Sequence, residues 1–198
     1  MEESELLRKR KEKIEALKAE GVDLYPNDVN VKDTTADLLS RFSGMDHDQL
    51  EKVEERFSLA GRIMAIRNFG KASFISLQDR KGRIQGYIHR QLVGEASFQL
   101  LKKLDVGDIV QIEGRIFRTK TGELTVEAGR LRLVSKAIRM LPEKWHGLTD
   151  IETRYRQRHL DLMVNPKVRE VFQRRSRIIQ LIRRFMEDRD FLEVETPM

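Results

Sequence analysis

Two spacings of apolar residues alternate along this chain. From Glu2 to Glu20, Leu6, Leu7, Ile14 and Leu17 recur among dense charges, and Gly21 with Pro26 beyond it supplies a stop, so a first helix is predicted there. Looser patterns predict short packing helices over Thr35 to Arg41 and Asp46 to Glu55. Beyond Arg56 the spacing falls to two. Phe57 to Arg67, Ala72 to Asp79, Arg83 to His89, Asp108 to Phe117 and Glu123 to Leu133 read as strands, with a helical stretch from Glu95 to Leu104 before the fourth. In the last strand the alternation slips between Ala128 and Leu131, where Gly129 permits a bulge. After Lys136 the helical period returns. Thr149 and Glu152 stand at capping-box spacing ahead of an arginine-rich helix. Asn165 and Pro166 then fit the N-cap and first position of another helix, along which Val168, Val171, Phe172, Ile178, Ile179, Ile182, Phe185 and Met186 form one apolar stripe.

These elements predict an α+β chain in three parts: an N-terminal helical segment over 1–55, a β domain over 56–135, and a helical part over 136–198. Three strands, a helix and two strands is the order of the OB-fold, a five-stranded barrel whose second and third strands offer a face to oligonucleotides. Alternation assigns that face. Ile75 and Leu77 share one side of the second strand with Ile84, Gly86 and Ile88 of the third; Phe74, Ser76 and Gln78 share the other with Arg83, Gln85, Tyr87 and His89. Rings that stack unpaired bases, amides that read base edges and cations for phosphates are what a single-stranded nucleic-acid platform needs. A covering helix would instead make Phe74 part of a core. Burial would contribute about 1.5–3 kcal/mol and stacking a base about 1–3 kcal/mol, so energy alone does not separate the two. The company of Phe74 favours the binding face, with Arg67 and Lys71 adding cations at its edge.

Charge and composition change the picture only modestly. Lys plus Arg number 38 against 32 Asp plus Glu, a balance of +6 that suits an anionic partner. Arg8, Lys9, Arg10, Lys11 and Lys13 admit a basic arm on a nucleic-acid backbone, but the interleaved glutamates favour a solvated helix face. No apolar run approaches the roughly 18 residues of a membrane helix, and the charged start lacks a signal peptide's apolar run. A cytoplasmic protein with no membrane contact is expected, and the absence of cysteine fits a reducing compartment. His47, His89, His146 and His159 lack metal-ligand spacing, Gly70-Lys71 lacks the rest of a phosphate loop, and no nucleophile elbow is present. Catalytic residues, metal ligands and bound cofactors are therefore not expected within this chain. The long apolar stripe needs a partner surface, which points to a larger domain or a subunit interface.

The stretches GRIMAIRNFGKASFISLQDRKGRIQGYI, TKTGELTVEA and LPEKWHGLTDIETRYRQRHLDLMVN, with the helix and FLEVETPM that follow, resemble the amino-terminal part of bacterial-type lysyl-tRNA synthetases, in the class II aspartyl, asparaginyl and lysyl subgroup. The resemblance implies an anticodon-binding OB-fold, followed by the beginning of a catalytic domain. It puts an aromatic stacked on the middle anticodon uridine at Phe74, an arginine and a glutamine bonding near it at Arg67 and Gln85, and a further anticodon contact at Glu123. The family's dimer element, motif 1, falls on the last helix and strand, including Phe172, Ile179, Phe191 and Pro197. There the family usually has glycine where Asp190 stands, so a left-handed turn is expected at that aspartate. ATP and magnesium serve the full-length family through motifs 2 and 3, which have no counterpart in this sequence; aminoacylation by these residues alone is not expected. The implied partners are the lysine tRNA and a second copy of the chain, with no DNA. Two other readings stand beside this one: a stand-alone OB-fold module for single-stranded nucleic acid, and a pure assembly fragment.

Overall fold

A computed structural model describes residues 5–141, 148 and 150–197, within two compact units, residues 1–140 and 141–198. The first unit is built on β1 (Phe57–Phe69), β2 (Ala72–Gln78), β3 (Arg83–His89), β4 (Ile109–Arg118) and β5 (Leu124–Ser135), none more than two residues from the expected ends. They pair in the order β1-β2-β3-β5-β4, and β4 returns to β1 to close the barrel. All pairs are antiparallel except β3 with β5. The crossover through α4 (Arg90–Lys103) makes that parallel pair possible. α4 starts five residues before the expected Glu95, because Gly94 at φ 80°, ψ 167° divides it into two helical pieces and Glu95 opens only the second.

Closure depends on glycines where strands approach too closely for a side chain. The β4–β5 register passes from Glu113 opposite Arg130 to Gly114 opposite Ala128, which leaves Gly129 as the extra residue of a bulge, as the slipped alternation implied. Inside lie Ile63, Ile75, Leu77, Ile84, Ile88, Val110, Ile112, Val126 and Leu133, the inward members of period-two strands. Ile14 and Leu17 of α1 (Glu5–Ala19), Leu38 and Phe42 of α2 (Thr35–Phe42), and Leu50 of α3 (His47–Glu51) join the same core. α3 is shorter than expected, capped by Asp46 and ended at Lys52.

The reading of α1 as a solvated charged face fails at Arg10. Leu6 is exposed, whereas Arg10 is buried on the stripe that continues through Ile14 and Leu17. Its guanidinium donates to the carbonyls of Val106 (2.9 Å), Ala137 (3.1 Å) and Arg139 (3.0 Å), the end of the α4–β4 loop and the exit from β5. Beside it Lys136 Nζ, fully enclosed, bonds Asp105 Oδ2 at 2.6 Å and Asp108 Oδ2 at 2.7 Å, while Lys13 reaches Asp105 Oδ1. Burial alone would raise the Asp105 pKa; the hydrogen bonds and charges of Lys13 and Lys136 outweigh it and hold the carboxyl below its usual range. Arg10 and Lys13 thus fasten the helix to the barrel, while Lys9, Arg8 and Lys18 pair locally with Glu5, Glu12 and Glu15.

A second carboxylate shapes the β2–β3 turn. Asp79 accepts from Thr35 N and Thr35 Oγ1 at 2.7 Å each, and from the Lys81 and Gly82 amides, so one side chain both forms the turn and receives the start of α2. Burial opposes its charge, but these four bonds win and lower its pKa.

In the second unit α5 (Ile151–Arg156), α6 (Arg158–Val164) and α7 (Pro166–Glu187) follow one another. Asp150 caps α5 by accepting from Thr153 N at 2.7 Å; Thr149 and His146 lie outside the described residues. Asn165 does occupy the N-cap position of α7 with Pro166 next, but its side chain does not cap. It turns back to Asp161, a fully buried carboxylate also held by Arg154 and Arg158. No residue of α7 is buried, so its stripe of Val171, Ile178, Ile182 and Phe185 is bare within this unit, while Phe172 lies beneath the Arg158 guanidinium at 5.3 Å. Past its end Asp190 has φ 61°, the expected left-handed turn, with Phe191 N bonded to Met186 O and Asp190 N to Glu187 O in the Schellman pattern. Residues 191–197, expected to be a strand, pair with no sheet among the described residues. Extended backbone becomes a strand only beside a hydrogen-bonding neighbour.

Candidate nucleic-acid interface

Register places the outward residues of the barrel in rows. Arg67 pairs with Phe74, Phe74 with Tyr87, Tyr87 with Glu127, and Glu127 with Arg115, a single line crossing five strands. The adjacent line runs Ala65, Ser76, Gln85, Thr125, Phe117, and a third holds Phe69, Ala72 and His89. Partners in a row share one face. Arg67, Phe74, Gln85, Tyr87 and His89 of the expected set are therefore brought together, with Arg83, opposite Gln78, one row beyond Gln85. Inward neighbours Ile75, Leu77, Ile84 and Ile88 are at most 4% exposed, whereas Phe74, Gln85, Tyr87 and His89 are half-buried and Arg67, Lys71 and Arg83 exposed.

The rings form a continuous cluster. Phe74 and Tyr87 lie 4.9 Å apart, Tyr87 stacks with His89 at 6.1 Å, and Phe69 meets Phe74 edge-on at 6.0 Å. Phe117 adds a further edge contact to Tyr87 at 5.9 Å. Sequence reading missed Phe69 and Phe117, although the same alternation that exposes Arg67 and Arg115 exposes residues two positions on. Phe69, at the tip of the β1–β2 hairpin, is 62% exposed, a large ring left in water beside Gly70.

The polar groups differ in how firmly they are held. Gln85 Nε2 donates to Thr125 Oγ1 at 3.1 Å, and Thr125 Oγ1 donates to the Glu123 carbonyl at 3.1 Å. Arg83 Nε is engaged by Gln78 Oε1 at 2.6 Å, so this cation is tied along the face. His89 has a second task, accepting from Gln91 N at 3.3 Å as the cap of α4. Among the described residues no hydrogen bond or ion pair engages the side chains of Arg67, Lys71 or Glu123. Glu123 closes the β4–β5 turn, its amide donating to Thr119 Oγ1 at 3.0 Å, with Gly122 at φ 85° beside it. Both the β1–β2 and β4–β5 turns thus flank the ring cluster, the arrangement through which OB-folds bind oligonucleotides. Among the described residues no three acidic, histidine or cysteine side chains converge as a metal site. No helix of the described residues is long and apolar enough to cross a membrane.

Comparison with known proteins agrees with this architecture. Residues 57–134 match the family described as the OB-fold nucleic acid binding domain, and residues 150–198 match class II tRNA synthetases of the D, K and N group. Barrel and following helices together define the class: an amino-terminal region of a class II aminoacyl-tRNA synthetase. Over its whole length the chain is 50% identical to the lysine-tRNA ligase of Xylella fastidiosa strain M12 and 52% identical to that of Magnetococcus marinus, covering 39% of each protein. The lysine-tRNA ligase of Moorella thermoacetica is 50% identical over 98% of the chain and 38% of its own length. The chain belongs to the lysine-tRNA ligase family and spans about two fifths of the length of these relatives.

Proposed function

We propose that this chain is the anticodon-binding and dimerising portion of a lysine-tRNA ligase, an enzyme whose complete form attaches lysine to tRNA at the expense of ATP in the cytoplasm. The observation that carries this reading is the uncovered outer row Arg67, Phe74, Tyr87 with Gln85 alongside. Phe74 stacks on the middle anticodon uridine, Arg67 meets the neighbouring phosphate or base edge, and Gln85 bonds the edge of the stacked base. Lys71 and Arg83 add positive charge, Tyr87 and His89 support the stacking ring, and Glu123 contacts the anticodon from the β4–β5 turn. The bare stripe of α7, with Phe172, Ile179, Phe191 and Pro197, buries against a second copy; an apolar face of this kind is typical of an obligate interface. A chain limited to these residues binds and assembles without aminoacylating.

The edge contact of Gln85 supplies the test. Gln85→Ala removes a base-reading amide and is expected to weaken binding of lysine tRNA by about 1–3 kcal/mol, read by filter binding or fluorescence anisotropy. Rising salt weakens the wild-type complex as phosphate contacts are replaced by counterions. Undiminished affinity of the Gln85→Ala chain contradicts the assignment of that residue.

A further inference from the structure

Thr125 stands directly opposite Gln85 in the parallel β3–β5 pair and is fully buried. A hydroxyl has one proton to give. Here that proton faces the Glu123 carbonyl at 3.1 Å, an oxygen that can only accept, so toward Gln85 the hydroxyl offers a lone pair. Only the amide nitrogen of Gln85 can answer it, and Nε2 lies at 3.1 Å. The direction of every hydrogen bond in the line Gln85, Thr125, Glu123 is set by the backbone carbonyl at its end.

We propose that Thr125 is a positioning residue that fixes which way the Gln85 amide faces and thereby selects uridine over cytidine at the stacked base. This rests on the anticodon-binding reading above. The two pyrimidines have the same outline but opposite edges: uridine presents N3–H between two carbonyl oxygens, and cytidine presents a bare N3 beside an amino group. With Nε2 held by Thr125, Oε1 is the acceptor that remains for N3–H, and the second Nε2 proton serves a uridine carbonyl. Cytidine requires the amide turned over. That rotation sets Oε1 against the Thr125 lone pair, unless the hydroxyl abandons the Glu123 carbonyl. Thr125 touches no base itself; it acts through Gln85. The Glu123 carbonyl keeps another donor, Thr119 N at 3.0 Å, so removing the hydroxyl does not strand it.

The experiment measures affinities of the 198-residue chain for two stem-loop RNAs that differ only in the middle anticodon base, uridine or cytidine. Wild type, Thr125→Val and Thr125→Ser are compared, with thermal melting as the folding control. Wild type is expected to prefer uridine. Thr125→Val, which keeps shape but loses the hydroxyl, is expected to narrow that preference about tenfold, mainly by tightening cytidine binding, and Thr125→Ser is expected to restore it. A wild type without preference overturns the anticodon reading itself. A wild-type preference that Thr125→Val leaves intact overturns only the role of Thr125, as does a Thr125→Val loss equal for both RNAs. Should Thr125→Val melt early, Thr125→Ser and Thr125→Ala carry the comparison: the preference must follow the hydroxyl.

Discussion

Replacing Lys136 by alanine is expected to destabilise the first unit by about 3–5 kcal/mol, the usual cost of leaving a buried charge without its partner. Lys136 is enclosed together with Asp108, and neither can recover water when the other is removed. Asp108 would retain only the amides of Asp105 and Ala137, at 2.7 and 2.8 Å, against a full negative charge. Asp105 would keep Lys13 on its other oxygen. Because the same knot receives Arg10, its loss also loosens α1 from the barrel. Urea unfolding followed by circular dichroism measures the change. Lys136→Met should be nearly as damaging despite its similar volume, whereas Lys136→Met combined with Asp108→Leu should recover much of the loss, since an apolar pair of similar shape often replaces a buried ion pair at little cost. A Lys136→Ala variant within about 1 kcal/mol of wild type would show that the cluster is not closed to water.

A single methyl group at Gly114 is the other large perturbation. Its Cβ would stand 1.8 Å from the Glu127 carbonyl oxygen and 2.7 Å from the carbonyl carbon. Those atoms are backbone, so no rotamer change relieves the clash; β5 must move away beside the Gly129 bulge. Overpacking typically costs about 1–3 kcal/mol, and displacement of a closing strand puts Gly114→Ala at or above the top of that range. The melting temperature should fall by roughly 10 °C. RNA affinity should fall too, because Glu127 faces Tyr87 in the ring-bearing row. Gly129→Ala, with only the Glu113 carbonyl 3.8 Å away, should be far milder.

The barrel was legible because one face of each strand is dry. Period two exposed which residues point inward, and the broken period at Ala128 located the bulge without any partner strand in view. Asp190 was legible for another reason: the turn after α7 demands a backbone that glycine adopts freely and aspartate tolerates. Arg10 was misread because charge was taken to mean solvent. Its spacing of four and seven from Ile14 and Leu17 placed it on the buried stripe, and a long guanidinium can satisfy carbonyls that no apolar residue could. The ring cluster was only half visible. Phe74 and Tyr87 share adjoining strands, but Phe117 comes close through the β3–β5 pairing, a contact set by topology rather than by local pattern. The hydrogen-bond direction through Thr125 likewise arises from that pairing, between residues far apart in the sequence.

The proposed anticodon reading turns on contact between Phe74 and one base. Lysine tRNA carrying 4-thiouridine at the middle anticodon position keeps the N3–H edge and forms covalent crosslinks on irradiation only with side chains it touches. After trypsin digestion the crosslink should map to the peptide Ala72–Arg80, which contains Phe74, or to Ile84–Arg90, which contains the edge-reading Gln85. A crosslink confined to other peptides, such as those of α1 or α7, would contradict the binding face described for this barrel.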